Sequence, residues 1–121
     1  MYEVIVKLDE WKRGKEPKIG SFLYDPEIHK RCCLGFACNS VGLEDKILTH
    51  ISTPASLRNF TDNIVNSPLA FLVNKVNGEY INSSVCHSMM LTNDSRDTND
   101  EEKMRELNRL AEPYDVKFVF V

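Results

Sequence analysis

The hydrophobic residues at the start of the chain recur with the spacing of a helix. Apolar side chains fall on one face of residues 2–13 and polar side chains on the other, and the apolar positions are Val4, Ile5, Leu8 and Trp11. Gly14 follows directly and supplies a C-terminal stop. The pattern therefore predicts an amphipathic first helix.

A second helical stripe occupies residues 32–41. It is formed by Cys33, Leu34, Ala37, Cys38 and Val41, and Gly42 follows where a left-handed C-cap is expected. Gly35 lies within this helix although glycine there costs about 1 kcal/mol relative to alanine. Its presence indicates close packing against another backbone, so we expect the helix to be buried.

Strand-forming residues define a predicted sheet. The strand segments are residues 19–24, 71–76, 80–81 and 116–121. Asn77-Gly78 is the strongest short hairpin signal in the chain and predicts a hairpin over residues 70–82. The last segment carries a polar residue only at Lys117, so we expect it to be largely buried.

The later helices are predicted from their caps. Thr53 and Pro54 predict the start of a short helix over residues 55–58. Residues 82–84 can cap a helix that ends near residues 92–94. Thr98 and Glu101 form a capping box for a further helix, which Pro113 ends. Together the elements predict a single α+β domain over residues 1–121, with three or four helices packed on a small, mainly antiparallel sheet. A parallel sheet is the alternative, and the hairpin signal favours the antiparallel one.

Composition narrows the class of protein. The chain has 121 residues, of which 42% are hydrophobic and 27% charged, which excludes a disordered, collagen-like or fibrous protein. No apolar run approaches the roughly 18 residues that a membrane span needs. Residues 1–7 lack the basic and apolar regions of a secretory signal. We therefore expect no contact with a membrane and a cytoplasmic location.

The net charge and its distribution limit the classes of binding partner. The net charge of −3 argues against general nucleic-acid binding, which normally needs a clear basic excess. The distribution is uneven, because residues 1–58 carry slightly more basic than acidic side chains and residues 59–121 carry a clear acidic excess. The basic groups of the first half could meet around an anionic ligand, or they could be solvated surface residues.

Cysteine is the most unusual feature of the composition. Three of the four cysteines, Cys32, Cys33 and Cys38, lie close together, and the fourth, Cys86, precedes His87. This spacing fits neither a secreted disulfide framework nor paired zinc ligands, so we expect buried reduced thiols and no copurifying zinc or other cofactor. A thiol nucleophile near a helix N-terminus is the alternative.

Common catalytic and binding motifs are absent from the sequence. There is no GxGxxG, GxxxxGK[ST], HExxH or GxSxG pattern. Residues 93–102 carry carboxylates spaced somewhat like a calcium loop, but they lack its central glycine, and the capping box already explains Thr98 and Glu101. These absences favour a binding protein over an enzyme.

Several of these residues together carry a resemblance. They are Trp11 with Arg13-Gly14, Gly20, residues 32–38 with the sequence C-C-L-G-F-A-C, Gly42, and Leu91 with Asn93-Asp94. The pattern resembles small proteins encoded by bacteriophages and prophages, which typically show W-x(n)-R-S-G, C-C-L-G-V-x-C-x-x-x-G and L-x-x-x-N-D. This chain departs from that pattern in Lys12-Arg13-Gly14, in Phe36-Ala37 and in the shorter Leu91 to Asp94 segment. The resemblance implies a phage origin rather than a reaction.

Two classes of function follow. The first is a small phage accessory protein that acts by binding, for example an anti-defence factor that sequesters a nucleotide signal or blocks a host protein. The alternative is a small hydrolase or transferase in which Cys33 or Asp94 acts with a histidine. The partner is then a host protein or a small anionic nucleotide, and a homo-oligomer remains open.

A nucleotide would need converging donors, which the sequence can supply. The candidate ligand-binding residues are Trp11 for stacking; Arg13, Lys18, Lys30 and Arg31 for phosphate; the backbone amides at Cys33; and Asn93, Asp94 and Arg96 for hydroxyls or a base edge. Trp11 could instead be a core residue. If this pocket is wrong, the acidic face over residues 100–106 is the next candidate surface.

Overall fold

The computed structural model describes residues 1–14 and 22–121. Within them lie five α-helices: α1 (Cys33–Ser40), α2 (Asp45–Leu48), α3 (Thr61–Val65), α4 (Ser84–Asp94) and α5 (Asp100–Ala111). Four strands accompany them: β1 (Tyr2–Val6), β2 (Val73–Val76), β3 (Glu79–Asn82) and β4 (Val116–Phe120). The predicted α+β class is confirmed. The buried hydrophobic side chains form one core cluster.

The N-terminal segment is a strand, and the predicted first helix over residues 2–13 is wrong. β1 pairs in parallel with β4, and a short 3-10 turn, Leu8–Glu10, follows it. Val4 and Val6 are buried while Glu3 and Ile5 are exposed, which is the alternation of a strand. The spacing of apolar residues was compatible with both periods, and pairing with the C-terminal strand selected the extended one.

The strands form two separate pairs. β2 and β3 make the predicted antiparallel hairpin, and Asn77 and Gly78 at its turn have φ of 51° and 83°. The C-terminal strand is also confirmed, and its partner β1 runs parallel to it. Of the segment predicted as a strand over residues 19–24, residues 19–21 lie outside the described part of the chain, and Tyr24 makes only an isolated bridge to Thr49.

Helix α1 is formed and buried as predicted. At its C-terminus the amides of Gly42 and Leu43 donate to the carbonyls of Asn39 and Cys38, and Gly42 has φ of 90°. Gly35 packs directly on the backbone of Leu23, whose carbonyl oxygen a Cβ at this position would overlap. The glycine is therefore required by the close approach that its presence in a helix indicated.

Helices α4 and α5 also begin and end near the predicted positions. Ser83 caps α4 by accepting from the amide of Cys86. The cap of α5 is Asn99, with Glu102 as its reciprocal partner, so the predicted capping box of Thr98 and Glu101 is wrong by one residue. The predicted short helix over residues 55–58 is part of a longer 3-10 segment, Pro54–Phe60. In the two described ranges, no helix has both the length and the apolar character needed to cross a bilayer.

Candidate functional site

Two distant segments of the sequence meet at the side chain of Asn93. Its Oδ1 accepts from the indole nitrogen of Trp11 at 2.7 Å and from the backbone amide of Cys33 at 3.0 Å. Its Nδ2 donates to the carbonyl of Lys12 and to the carboxylate of Asp94, both at 3.0 Å. We call this group of five residues the Asn93 junction.

The junction uses the full bonding capacity of a buried amide. Asn93 is 1% exposed, and a side-chain amide can accept two hydrogen bonds and donate two. The backbone carbonyl of Asn93 accepts from the backbone amide of Gly14 at 3.1 Å. A Cβ on Gly14 would overlap the backbone carbonyl oxygen of Asp94. The backbones of residues 14 and 94 therefore touch, and the amide at the N-terminus of α1 already has an acceptor.

Trp11 is a core residue at this junction. It is 1% exposed, its ring centroid lies 5.0 Å from that of Phe120, and the guanidinium of Arg13 lies 4.6 Å from the indole ring. A ligand base would have to displace these neighbours to stack on it. This position fits the core alternative raised from the sequence better than the stacking role.

Both arginines predicted as phosphate contacts form ion pairs within the chain. Arg13 donates from Nε to Asp100 at 2.8 Å. Arg31 donates to Glu10 at 2.9 Å and to Asp45 at 2.7 Å, and its guanidinium also lies near aromatic rings. Arg31 is buried, so its charge interacts with neighbouring residues of the chain rather than with solvent.

The remaining candidate residues are not gathered around the junction. Lys18 lies outside the described residues. Lys30 is half-buried and exchanges backbone hydrogen bonds with Asp25. Arg96 is exposed and forms no ion pair or hydrogen bond with the other described residues. The structure thus brings Trp11, Arg13, Cys33, Asn93 and Asp94 together.

All four cysteine thiols are buried and unpaired by disulfides, as predicted for Cys33 and Cys38. Burial raises the pKa of Cys32 and of Cys86 to about 12, and it raises the pKa of Cys33 well above the usual thiol value. The negative charge of Asp94 raises the pKa of Cys33 further. These thiols are therefore protonated at neutral pH, which disfavours a nucleophilic role. No cluster of three or more metal-binding side chains occurs in the part of the chain that the structure describes.

A buried ion pair escaped the sequence analysis. Lys12 is 3% exposed, and its Nζ lies 3.5 Å from Oδ2 of the equally buried Asp25. The basic residues of this segment were interpreted from the sequence as contacts to an anionic ligand or as solvated surface residues, so a buried charge was not expected. The pair joins the strand-like segment after β1 to the turn before α1, and its role is structural.

A large cleft opens beside the junction, between the end of α4 and the first turns of α5. Its volume is about 620 Å³, and its lining consists of Leu91, Thr92, Ser95, Thr98, Asn99, Glu101, Glu102, Arg105 and Glu106. We call it the α4–α5 cleft. Leu91 at its border is 61% exposed, and it lies on the side of α4 opposite the buried Met89.

The loop that forms the cleft is held from inside by Lys103. This side chain is 1% exposed, and its ammonium donates to the carbonyl of Ser95 and, at 2.8 and 2.9 Å, to the carbonyl and hydroxyl of Thr98. Asn99 and Glu102 cap the helix on the other side of the loop. The cleft is therefore a built surface with a fixed backbone.

The cleft is predominantly acidic. It presents three glutamates and one arginine, and the pKa of Glu106 is lowered by its hydrogen bonds to Arg109, so this carboxylate is ionised at neutral pH. The sequence analysis reached this surface only as the alternative over residues 100–106. The acidic excess of the second half of the chain was the signal that pointed to it.

No family model matches this chain, and no curated protein or solved structure is significantly similar to it. The resemblance to phage-encoded proteins and the function attached to it therefore stay predictions. The geometry of the junction and the cleft is what bears on function.

Proposed function

We propose that this chain is a small phage accessory protein that acts by binding a host protein, and that the α4–α5 cleft is its contact surface. The observation that carries the proposal is the cleft itself: about 620 Å³ of open volume, an exposed Leu91 and three glutamates of α5 beside a loop held by Lys103. Interfaces combine an apolar anchor with a polar rim, and this surface offers both.

The charge of the cleft indicates the chemistry of the partner. An acidic surface attracts a basic segment and repels phosphate groups. Leu91 adds an apolar contact, so the best-fitting partner is a host protein segment that carries lysine or arginine next to an apolar side chain. An anti-defence role, in which binding blocks that host protein, is the form of the proposal that agrees with a phage origin.

A nucleotide ligand has less support because its predicted donors are engaged. Arg13 pairs with Asp100, Arg31 pairs with Glu10 and Asp45, and the amide of Cys33 donates to Asn93. Binding a phosphate there would require breaking these contacts, of which the buried bond from Cys33 to Asn93 alone would cost about 1–3 kcal/mol.

An enzymatic role has less support for a similar reason. The candidate nucleophile Cys33 is a buried thiol with a raised pKa, and the carboxylate of Asp94 accepts a hydrogen bond from Asn93. His29 contacts the hydroxyl of Tyr24, and His50 contacts the ring of Phe22. Among the described residues, no histidine forms a hydrogen bond or ion pair with Cys33 or Asp94.

The test compares a cleft variant with a matched surface variant. Leu91→Arg combined with Glu101→Arg changes the apolar anchor and one acid of the cleft. Ile81→Arg makes the same kind of change at an exposed position on β3. Each tagged protein is expressed in the bacterial host, and the captured proteins are quantified by mass spectrometry.

We expect the wild type and Ile81→Arg to retain one host protein in equal amounts and the cleft variant to lose it by about tenfold or more. Titration of the purified pair by calorimetry then measures the affinity directly. Equal retention by all three proteins would place the contact surface elsewhere.

A second arm distinguishes the other functions. The purified chain is titrated with cyclic and ADP-ribose-type nucleotides, and each mixture is then separated by chromatography. Reversible capture of an intact nucleotide would replace the host-protein proposal with nucleotide sequestration, and formation of a product would replace it with an enzymatic role.

A further inference from the structure

The two outer edges of the β1–β4 pair differ in whether another part of the chain bonds to their backbone groups. On the β4 side, the side chain of Asn108 accepts from the amide of Phe118 at 2.7 Å and donates to its carbonyl at 3.1 Å. This amide replaces a neighbouring strand and closes the edge against further pairing. The edge of β1 has no such cap within the described residues.

The hydrogen bonds between the strands show which peptide groups of β1 point away from β4. The amides of Tyr2 and Leu8 donate to the carbonyls of Asp115 and Val121, and the amide of Val121 donates to the carbonyl of Val6. Peptide groups alternate in direction along a strand, so those of Glu3, Ile5 and Lys7 point to the opposite edge. There the carbonyl of Lys7 accepts from Glu10, and the described residues provide no other partner.

Open space lies beside this edge. A cleft of about 310 Å³ borders it, lined by Glu3, Ile5 and Lys7 on the strand and by Arg31, Phe36, Asn39 and Ser40 on the protein side. Ile5 is 46% exposed, an apolar side chain at the centre of an open strand edge. Such an edge is a template for pairing with another strand.

The charges on β1 determine which strand fits. Glu3 and Lys7 lie two residues on either side of Ile5, and all three side chains point to the same exposed face. If a second β1 pairs antiparallel with Ile5 opposite Ile5, Glu3 of each copy faces Lys7 of the other. The strand is therefore complementary to itself in charge and in hydrogen bonding.

We propose that the β1 edge is a homodimer interface, in which β1 pairs antiparallel with β1 of a second copy of this chain. The two copies then share a four-stranded sheet in the order β4, β1, β1, β4. The central Ile5 residues exchange both backbone hydrogen bonds, and two Glu3–Lys7 pairs flank them. The interface lies on the sheet and α1, so it does not depend on the proposed function of the α4–α5 cleft.

The test uses charge reversal at the two flanking positions. Glu3→Lys puts lysine opposite Lys7 at both ends of the interface, and Lys7→Glu puts glutamate opposite Glu3. Lys117→Glu is the matched control, because Lys117 lies beside Glu3 on the same sheet but on β4, away from the open edge. The dimerisation constant of each protein is measured by analytical ultracentrifugation over a range of concentrations.

We expect the wild type and Lys117→Glu to dimerise with equal affinity and each β1 variant to be weaker by about tenfold to a hundredfold. A 1:1 mixture of the two β1 variants restores complementarity between unlike copies, so it forms a heterodimer of near wild-type affinity. This recovery cannot arise from damage to the individual folds.

Hydrogen exchange gives an independent measurement. The amide of Ile5 is expected to exchange more slowly as the wild-type concentration rises, whereas the amide of Leu8, which donates to Val121 within the chain, is expected to be unaffected. A wild type that stays monomeric at the highest concentration overturns the proposal. So does a dimer that neither β1 variant weakens, or a mixture that shows no recovery.

Discussion

The Asn93 junction and the α4–α5 cleft share the last turns of α4, yet their side chains are used in opposite ways. Asn93 is buried with all its polar groups bonded, whereas Leu91, two residues before it, is exposed at the border of the cleft. The junction joins segments that are about 80 residues apart in sequence, as in the bond from Trp11 to Asn93. The cleft is formed by one continuous stretch of chain.

This difference separates residues that maintain the fold from residues of the proposed contact surface. Trp11, Cys33 and Asn93 meet at the junction, where their hydrogen bonds connect the segment after β1, α1 and α4. The junction also connects to the cleft, because Arg13 covers Trp11 and pairs with Asp100 in the first turn of α5. The junction therefore fixes the position of the α4–α5 cleft. The side chains of the cleft can be substituted without removing a hydrogen bond of the junction.

The strongest test of this contrast is Asn93→Ala. The substitution leaves the indole N–H of Trp11 and the amide of Cys33 buried without an acceptor, and each lost partner costs about 1–3 kcal/mol. We expect a loss of about 4 kcal/mol in the free energy of unfolding, measured by urea denaturation with circular dichroism.

Asn99→Ala is the control for the cleft, since it removes a cap at an exposed helix end and is expected to cost about 1 kcal/mol. Similar losses for the two variants would contradict the division between junction and cleft.

Gly35→Ala tests the close approach of α1 to Leu23. Alanine normally stabilises a helix interior, but here its Cβ would overlap the Leu23 carbonyl oxygen and lie 2.8 Å from the Cβ of Arg31. We expect a loss of about 3 kcal/mol, because backbone cannot move aside as a side chain can.

Gly42→Ala serves as the comparison, because no atom lies within 4 Å of its Cβ position and only the left-handed backbone opposes it. That variant is expected to lose about 1 kcal/mol. A stabilised Gly35→Ala protein would show that α1 is not held against Leu23.

Arg31→Ala and Arg96→Ala separate a cation used within the fold from one at the surface. Arg31→Ala removes the guanidinium that pairs with Glu10 and Asp45 and the packing of a buried side chain, so we expect a loss of about 2 kcal/mol. Arg96→Ala is expected to change stability by less than about 0.5 kcal/mol. Urea denaturation of both variants measures their stabilities, and titration with the captured host protein measures their binding. Equal stabilities would contradict the distinction between an arginine used within the fold and one at the surface.

The smallest predicted effect concerns the thiol of Cys33 at alkaline pH. Its pKa is raised in the folded state above the unfolded value, so the unfolded chain binds fewer protons above about pH 9. The stabilisation is complete below that pH and is lost as the pH rises toward the folded pKa. Cys33→Ala should therefore lose stability with pH less steeply than the wild type, by up to about 1 kcal/mol per pH unit.

Urea denaturation at several pH values between 8 and 10 measures this difference in slope. Identical slopes for the two proteins would mean that Cys33 ionises in the folded state as it does in the unfolded chain.

Local signals predicted the parts of the fold that depend on neighbouring residues. Asn77-Gly78 supplies the positive φ values of a tight hairpin, Gly42 ends α1, and Ser83 caps α4. Even the one-residue error at α5 is local, because Asn99 took the capping role while Thr98 became an acceptor for Lys103. These features follow from steric and hydrogen-bonding preferences that act within a few residues.

The sequence by itself determined the α+β class, the hairpin, the three longer helices and the burial of the thiols. Only the tertiary structure decided that residues 2–6 form a strand, because an apolar spacing that suits two periods is resolved by the strand that pairs with it. Tertiary structure likewise made Asn93 a junction and Arg13 and Arg31 internal ion pairs. Amides and guanidinium groups bond equally well to a ligand or to the chain, and their roles depend on which partner the fold places within about 3 Å.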